Sequence, residues 1–257
     1  MARLPQESDE LFVPIDAEDS GSLVEVGLSA PRFFPSPLVS TDDGLVCVGG
    51  RLAPEWLLDA YRHGIFPWPV WDEEPMAWWS LDPRAILEFD LLHVSRRLRR
   101  TLAGGKFTVT CNRDFAGVIQ GCATAGGRQE GTWLTPSMIA AYSQLHRLGH
   151  AHSIEVWHGV ELAGGTYGVA IGGLFAAESM FYRVRDASKV AIVHLVAHLK
   201  ARGYRLLDIQ QWTPHTGRLG AIMIPRSDYL RRLAETVDLP VSFGNVLTGE
   251  PLDLAHR

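Results

Sequence analysis

Three polar side chains occupy two segments of the sequence that are otherwise small and apolar. Glu178 stands in "AAESMF", and Asp208 and Gln210 alternate with leucine and isoleucine in "LLDIQQW". Side chains alternate along a strand, so Asp208 and Gln210 are predicted to share one face of a buried strand. A buried carboxylate without a partner costs a large part of a domain's net stability. The three groups must therefore satisfy one another, line a polar cleft or lie at strand ends.

Two interpretations of these polar groups stay open on the strand pattern alone: a structural hydrogen-bond network and a catalytic cleft. Ser179, Thr213 and His215 are near in the sequence, which favours the cleft. The alternation also predicts that Glu178 and Met180 share a face of their strand. Carboxylate and amide groups in a cleft can orient a nucleophile and guide its proton.

The segments that must position these groups predict an α+β domain. Residues 153–182 read as three antiparallel strands with a turn at Gly172 and Gly173. A helix over 187–203 and a central, mostly apolar strand over 204–210 follow. Further helices are predicted over 53–64, 95–105, 114–124 and 135–150, and strands over 44–50, 82–90 and 106–112.

Composition shifts along the chain predict three regions. Residues 1–29 are rich in acidic side chains, so we expect a mobile leader there. Residues 30–82 are predicted to form an N-terminal domain, whose segment "IFPWPVWDEEPMAWWS" holds four tryptophans and three prolines and should be irregular. A boundary near Asp82–Pro83 separates it from a larger domain over 83–257.

The bulk composition is that of an ordinary globular protein, with 257 residues, 46% of them hydrophobic, and a net charge of −5. This charge argues against a protein that coats nucleic acid over its whole surface. No signal segment or membrane span is visible and the cysteines are scattered, so we expect a cytoplasmic protein with reduced thiols. No heptad indicates a dimer, no glycine-rich stretch fits a phosphate loop, and His194 and His198 lack a third ligand. We therefore expect a monomer without cofactor or metal.

Several long motifs occur in the order that is typical of one family. They are "DGLVCVGGRLAPEWLLDAYRHGIFPW", "WWSLDPRA", "GTWLTPSMIAAYSQLHRLGHAHSIEVW", "ESMF", "ASKVA" and "LLDIQQWTPHTGRLGAIMIPRSDY". Over roughly residues 32–232 the chain resembles the leucyl/phenylalanyl-tRNA–protein transferases. This resemblance implies transfer of leucine or phenylalanine from aminoacyl-tRNA to proteins that begin with Arg or Lys, which marks them for degradation. Methionine stays open as a third donor residue.

The resemblance also implies a fold and catalytic roles. It implies an α+β fold with a GNAT-like C-terminal domain, covered by a smaller α/β N-terminal domain. Asp208 and Gln210 match the pair that acts on the acceptor amine: Asp208 would polarise Gln210, whose amide oxygen would hold an amine proton. Glu178 would hold either the amino group of the donor or the cationic acceptor, and the sequence leaves both roles open.

Substrate-binding residues are implied in the same way. Those for the 3′ end of the tRNA are Tyr61, Trp68, Trp133 and Tyr142, and those for the acyl side chain are Met180 and Ile192. Stacking of a base on an aromatic ring contributes about 1–3 kcal/mol, although a lone tryptophan is more often a core residue. The basic run of Arg96, Arg97, Arg99 and Arg100 would contact tRNA phosphates, although such a run alone is more often a solvated helix face.

The sequence departs from the family pattern at Leu81, Thr166, Tyr182 and Arg218, so the preferred amino acid stays open. Three other functions deserve comparison: an acetyl-CoA-dependent acetyltransferase, a tRNA-dependent transferase acting on a cell-wall precursor, and a non-catalytic tRNA-binding module. The stretch "RVRDAS" has no glycine for a pyrophosphate loop, which disfavours the first. Transferases of the second kind are generally longer, and the third would not require Glu178, Asp208 and Gln210.

Overall fold

The computed structural model describes residues 10–13, 23–70, 75–124 and 133–251. The chain forms two compact units. The first comprises Met1–Arg84 and Ile224–Glu235, and the second comprises Ala85–Met223 and Thr236–Arg257. The chain therefore returns to the first unit after leaving it, which the sequence pattern does not indicate. None of the helices within the described ranges is long and apolar enough to cross a membrane.

The predicted helices and strands are confirmed wherever they fall within the described residues. The helices are α1 (Pro54–Arg62), α2 (Arg96–Ala103), α3 (Phe115–Thr124), α4 (Pro136–Arg147), α5 (Ala187–Arg202), α6 (Pro214–Gly217) and α7 (Arg226–Ala234). The strands are β1 (Leu11–Phe12), β2 (Leu45–Gly49), β3 (Phe66–Pro67), β4 (Ala77–Trp79), β5 (Arg84–Leu87), β6 (Thr108–Cys111), β7 (Ala151–His158), β8 (Glu161–Ile171), β9 (Leu174–Tyr182), β10 (Leu206–Gln210) and β11 (Ala221–Ile224).

The first unit contains a four-stranded sheet of order β1-β2-β4-β3. The prediction of an irregular Trp/Pro-rich segment is wrong for its described parts, because β3 and β4 pair antiparallel with Phe66 opposite Trp79. Pro67 is tolerated because β3 lies at the sheet edge, where a missing N–H is harmless. Residues 71–74 of this segment lie outside the described residues.

Two short parts of the predicted leader have regular structure. Leu11 and Phe12 pair antiparallel with Gly49 and Val48 of β2. Residues Leu23–Val26 form a 3-10 turn in which Leu23 is buried. Most of the leader, residues 1–9 and 14–22, lies outside the described residues, and the expectation of mobility concerns that part.

The second unit contains a seven-stranded sheet of order β11-β5-β10-β9-β8-β7-β6. The antiparallel meander β7-β8-β9 is confirmed, and Ile171 pairs with Leu174 across its second turn. The central position of β10 is also confirmed, because this strand lies between β5 and β9. Helix α5 ends at Gly203, which adopts a left-handed φ of 86°.

Helices α5 and α3 cover opposite faces of this sheet. A Cβ atom on Gly164 would lie 2.7 Å from the Cβ of Ala187 at the start of α5. A Cβ atom on the next residue, Gly165, would lie 3.0 Å from Val118 of α3. Glycine at both positions of β8 therefore lets the two helices approach the sheet closely. Most of the apolar core of the second unit lies on the α5 side.

Candidate active site at a strand fork

Strands β9 and β10 run parallel and then part. Their pairing extends from Leu206 opposite Leu174 to Asp208 opposite Ala176. Strand β9 continues beyond this point to Tyr182. We call the opening beyond Ala176 and Asp208 the fork. All three polar residues singled out from the sequence lie at or next to the point where the pairing ends.

Glu178 is the extra residue of a β-bulge at the fork. On the neighbouring strand β8, Tyr167 pairs with Ser179 and Gly168 pairs with Ala177, so that Glu178 has no opposing residue. Bulges redirect side chains and are frequent beside active sites. The bulge gives the carboxylate a direction that regular alternation would not give it.

A second bulge lies on the other arm of the fork. Asp208 pairs with Ile86 and Gln210 pairs with Ala85, so Ile209 is the extra residue of β10. Gln210 itself has a positive φ of 55°. A left-handed backbone is unfavourable for a residue with a side chain, so this position is held by its surroundings.

The bulge at Glu178 also changes which residues share a face. Regular alternation predicts Glu178 and Met180 on the same face, and the structure differs. Met180 packs against the core around α5. The Glu178 carboxylate is bonded to Tyr142 of α4, whose ring contacts Tyr167, which in turn contacts Phe115 of α3. One inserted residue shifts the alternation, so the carboxylate is directed towards the α3 side.

Four polar side chains form the fork cluster: Tyr142, Glu178, Asp208 and Gln210. The Tyr142 hydroxyl donates to Glu178 Oε2 at 3.0 Å, and Gln210 Nε2 donates to Glu178 Oε1 at 3.2 Å. Both carboxylate oxygens therefore accept hydrogen bonds from uncharged donors. Glu178 is only partly buried, whereas Tyr142 and Asp208 are fully buried. The carboxylate is oriented by the protein and still reachable from outside.

Asp208 positions the backbone of Gln210. Its Oδ1 atom accepts a hydrogen bond from the Gln210 backbone N–H at 2.9 Å. This bond stabilises the left-handed conformation at Gln210, so Asp208 fixes where the amide side chain starts. The family resemblance implies that Asp208 polarises the amide, and this stays a prediction; the amide nitrogen itself donates to Glu178.

The two apolar candidates lie together on the α5 side. Ile192 is buried within the core cluster, and the partly buried Met180 packs against this cluster.

Of the aromatic candidates, Tyr142 lies within α4 and Trp133 lies just before this helix begins. Thr135 caps it by accepting a hydrogen bond from Met138 N at 3.3 Å. The half-buried Trp133 comes two residues before this cap.

Tyr61 and Trp68 lie in the first unit. Tyr61 is buried on α1. Trp68 is partly exposed, and its backbone N–H donates to Ala77 O at 3.0 Å. Its carbonyl accepts a hydrogen bond from Trp79 Nε1, also at 3.0 Å. The backbone of Trp68 is therefore fixed by β4 on both sides.

The basic run forms α2, which presents most of its arginines to solvent. Leu98 is buried, Arg96, Arg97 and Arg100 are exposed, and Arg99 donates to Val94 O at 3.2 Å. Arg97 lies 3.4 Å from the Asp186 carboxylate. An open cavity of about 470 Å³ beside the helix is lined by Arg97, Arg100, Thr101, Gly104 and Lys106. The sequence does not single out Lys106, which adds a further positive charge to this surface.

His198 of α5 links this helix to the chain that follows residue 242. His198 Nε2 contacts Phe243 O at 2.9 Å, and its Nδ1 accepts from Thr248 N at 3.0 Å. Burial lowers the pKa of His198 and lowers that of His194 to about 4. Among the described residues, no three His, Cys, Asp or Glu side chains are grouped to hold a metal ion.

Tyr167 lies beside the fork cluster and is not among the site residues that the sequence predicts. Its side chain is completely buried, and no described residue forms a hydrogen bond with its hydroxyl. An unsatisfied buried hydroxyl costs about 1–3 kcal/mol. Burial raises its pKa well above 10, and nearby Tyr142 and Glu178 raise it further. The one signal in the sequence is a tyrosine within the small-residue run "AGGTYGVA".

The fold and site together define a two-unit protein of mixed helices and strands with a carboxylate–amide–hydroxyl cluster at the fork of its larger sheet. A family model described as leucyl/phenylalanyl-tRNA protein transferase matches residues 86–234. The model of the N-terminal domain of the same family matches residues 50–82. The chain belongs to the leucyl/phenylalanyl-tRNA–protein transferase family.

Curated relatives that carry the name of this family match most of the chain. A protein of Chromohalobacter salexigens is 54% identical over 200 residues, which cover 78% of each chain. A protein of Solidesulfovibrio magneticus is 53% identical over 78% of this chain and 81% of its own. A protein of Magnetococcus marinus is 48% identical over 85% of this chain and 94% of its own.

Proposed function

We propose that this protein is an aminoacyltransferase that moves leucine or phenylalanine from aminoacyl-tRNA to the N-terminal Arg or Lys of other proteins. Family membership carries this proposal, since the relatives are named leucyl/phenylalanyl-tRNA–protein transferases. The new N-terminal residue would mark the acceptor protein for degradation. We place the reaction in the domain over 83–257, which follows an N-terminal domain over 30–82 and the leader over 1–29 in the sequence. The proposed location is the cytoplasm and the proposed active form a monomer.

The reaction is aminolysis of an ester. The acceptor α-amino nitrogen attacks the ester carbonyl carbon, a C–N bond forms, and the bond from this carbon to the ribose oxygen of the tRNA breaks. One proton leaves the nitrogen and one ends on the ribose oxygen. An α-amine has a pKa of about 7.7–8.0, so a good fraction is already nucleophilic at neutral pH. Alignment of amine and ester alone then supplies several kcal/mol.

Gln210 is the group that orients the attacking amine. Its Nε2 atom donates to Glu178, which directs the amide oxygen away from that carboxylate to accept an N–H of the amine. An amide is too weakly basic to remove the proton, so Gln210 acts by orientation. Asp208 supports it by holding its backbone N–H. Glu178 supplies the negative charge that attracts a substrate amine or cation.

The remaining site residues bind the donor. Met180 and Ile192 would contact the acyl side chain, and an apolar pocket of this kind discriminates by only about 1–3 kcal/mol per methylene. Acceptance of leucine, phenylalanine and methionine is consistent with this limit. Trp68 and Trp133 would bind the 3′ end of the tRNA by stacking, and Tyr61 and Tyr142 are further candidates for contacts with it. The arginines of α2 would contact phosphates.

The fork also supports a GNAT-like fold for the C-terminal domain. A meander followed by a helix and a parallel strand, with the last two strands parting at the site, agrees with that architecture. An acetyltransferase would need a site for acetyl-CoA, and "RVRDAS" before α5 has no glycine-rich loop.

The test is incubation of the protein with leucyl-tRNA and a peptide that begins with Arg. We expect leucine at the N-terminus of the peptide by mass spectrometry. The same peptide with an acetylated N-terminus is the matched control, because it keeps the side chains and removes the nucleophile. Acetylation of the peptide from acetyl-CoA, or tRNA binding without transfer, would contradict the proposal.

A further inference from the structure

The Tyr167 hydroxyl is buried without a hydrogen-bonding partner among the described residues. Tyr167 lies on β8, opposite Ser179 and next to the bulge at Glu178. Its ring meets the ring of Tyr142 edge-on with centroids 5.5 Å apart. Phenylalanine would fill the same space without an unsatisfied oxygen, so the hydroxyl has room for a partner that the described residues do not supply.

Tyr204 offers a comparison within the same unit. Its hydroxyl is also buried and without a hydrogen bond among the described residues, and its ring centroid lies 6.5 Å from that of Phe243. Tyr204 contacts the ring of Phe243, whereas Tyr167 contacts the ring of Tyr142 and lies next to the bulge at Glu178. Of these two unsatisfied hydroxyls, Tyr167 is the one that lies beside the fork cluster.

The chemistry beside Tyr167 selects an amine as the missing partner. The Glu178 carboxylate and the hydroxyls of Tyr142 and Tyr167 present oxygen atoms that accept hydrogen bonds. An amino or ammonium group carries two or three hydrogens to donate, and the carboxylate favours its positive charge. An oxyanion would be repelled by the same carboxylate. Tyr167 is completely buried, so a partner reaches its hydroxyl only when neighbouring side chains of the fork move, and only a small group would fit.

We propose that the Tyr167 hydroxyl, together with Glu178, binds the α-amino group of the aminoacyl donor. This inference rests on the proposed function and deepens it, because it assigns Glu178 to the donor. The side-chain cation of the acceptor lies at the end of a long flexible chain, whereas the donor amine is one small group that is held one carbon away from the ester carbonyl. A donor whose amino group is missing or blocked is therefore bound weakly.

The test compares two stable analogues of the donor end, in which an amide replaces the ester. One carries phenylalanine on 3′-amino-3′-deoxyadenosine, and the other carries phenylpropionate, which lacks only the amino group. Calorimetry should show that the wild type binds the amino analogue more tightly. Tyr167→Phe should reduce this preference about tenfold, the effect of losing one hydrogen bond to a charged group. Its Tm should be unchanged or higher, because an unsatisfied hydroxyl is removed.

Tyr204→Phe is the matched control, because it removes the other buried hydroxyl and should leave the preference and the transfer rate unchanged. In the transfer assay, Tyr167→Phe should raise the KM for phenylalanyl-tRNA about tenfold without changing the KM for the peptide. An unchanged preference, an equal loss of affinity for both analogues, or an effect on the peptide alone would overturn the inference. A wild type that prefers the amino analogue and transfers nothing would instead contradict the proposed function.

Discussion

Two glutamates of the seven-stranded sheet, Glu155 on β7 and Glu178 on β9, differ in burial and in their hydrogen bonds. Glu155 is completely buried. Its carboxylate accepts hydrogen bonds from the hydroxyls of Thr110 at 2.6 Å and Ser153 at 2.5 Å, and from the backbone N–H of Arg113 at 3.3 Å. We call these four residues the enclosed network. Glu178 is partly exposed and lies at the fork.

The difference shows how the same side chain can serve stability in one place and chemistry in another. In the enclosed network each bond starts and ends in the protein, so the carboxylate holds β6 and β7 together. In the fork cluster two uncharged donors orient the carboxylate, and the neighbouring Tyr167 hydroxyl has no hydrogen bond to any residue that the structure describes. Incomplete satisfaction beside an accessible carboxylate indicates a place for a ligand.

The largest effect on transfer is expected from Gln210→Ala. Loss of the amide that orients the amine should lower kcat about 10²–10³-fold while donor binding survives, since a positioned hydrogen-bonding group acts mainly in the transition state. Single-turnover kinetics with leucyl-tRNA measure it. Asp208→Ala should act in the same direction through the backbone of Gln210.

Gln211→Ala is the matched control for this prediction, because Gln211 is the adjacent amide and is exposed. It should leave kcat unchanged. Near-normal turnover in both Gln210→Ala and Asp208→Ala would show that these residues of the fork cluster do not take part in transfer.

The enclosed network should dominate stability in the corresponding experiment. Glu155→Leu leaves two hydroxyls and one backbone N–H without their acceptor, so the free energy of unfolding should fall by about 3 kcal/mol or more. Glu155→Gln keeps one acceptor oxygen and should lose less. Urea unfolding measures both. A loss below about 1 kcal/mol for Glu155→Leu would show that the network contributes little.

Charge reversal on α2 should weaken binding of the donor tRNA without changing kcat. Arg96→Glu with Arg100→Glu should raise the KM for the donor tRNA and flatten its dependence on salt by about 1–2 units of slope, as two phosphate contacts are lost. Measurements of KM between low and moderate salt give the slope. Arg147→Glu with Arg205→Glu is the control, since both residues are exposed and the charge change is equal. An unchanged slope in the α2 variant would reject this contact.

Part of the acid sensitivity of the fold should arise at His152 on β7, in addition to His194 and His198 on α5. His152 Nδ1 contacts Asn112 Nδ2 at 3.0 Å, and the imidazole stacks on Phe243. Burial, reinforced by His146, lowers the pKa of His152 from 6.5 to about 4. The unfolded chain therefore binds the proton first, so this stability is complete above pH 6.5 and is lost as the pH falls towards 4.

This single histidine should contribute up to about 3 kcal/mol of the loss. Thermal unfolding between pH 7 and pH 4 measures it, and His152→Leu should flatten the curve in that window. A curve of equal steepness in the variant would assign the acid sensitivity to other groups.

The regular elements could be read from the sequence because their signals are local. Apolar periodicity, Pro136 after the Thr135 cap and Gly203 at the end of α5 each mark an element. The prediction of an irregular segment around Pro67 and Trp78 was wrong because strands of two or three residues are too short to show an alternation of apolar and polar side chains. Proline at an edge strand is compatible with pairing.

The candidate site could be predicted in its residue types and not in its geometry. Glu178, Asp208 and Gln210 stand out as polar residues in apolar strands. The bulges at Glu178 and Ile209 depend on pairing with β8 and β5, which no local pattern records. For that reason the direction of Glu178 and the backbone role of Asp208 emerged only from the structure. In the sequence Tyr167 cannot be distinguished from other buried aromatic residues, because only the structure shows that its hydroxyl has no hydrogen bond to a described residue.

The most direct measurement is the value of kcat/KM for Glu178→Gln and for Glu155→Gln, each corrected for the folded fraction. Both variants remove one negative charge from the same sheet. We expect a loss of about 10²-fold or more for Glu178→Gln and nearly wild-type transfer for Glu155→Gln. Equal losses, or normal transfer by Glu178→Gln, would contradict the claim that the fork holds the reacting groups.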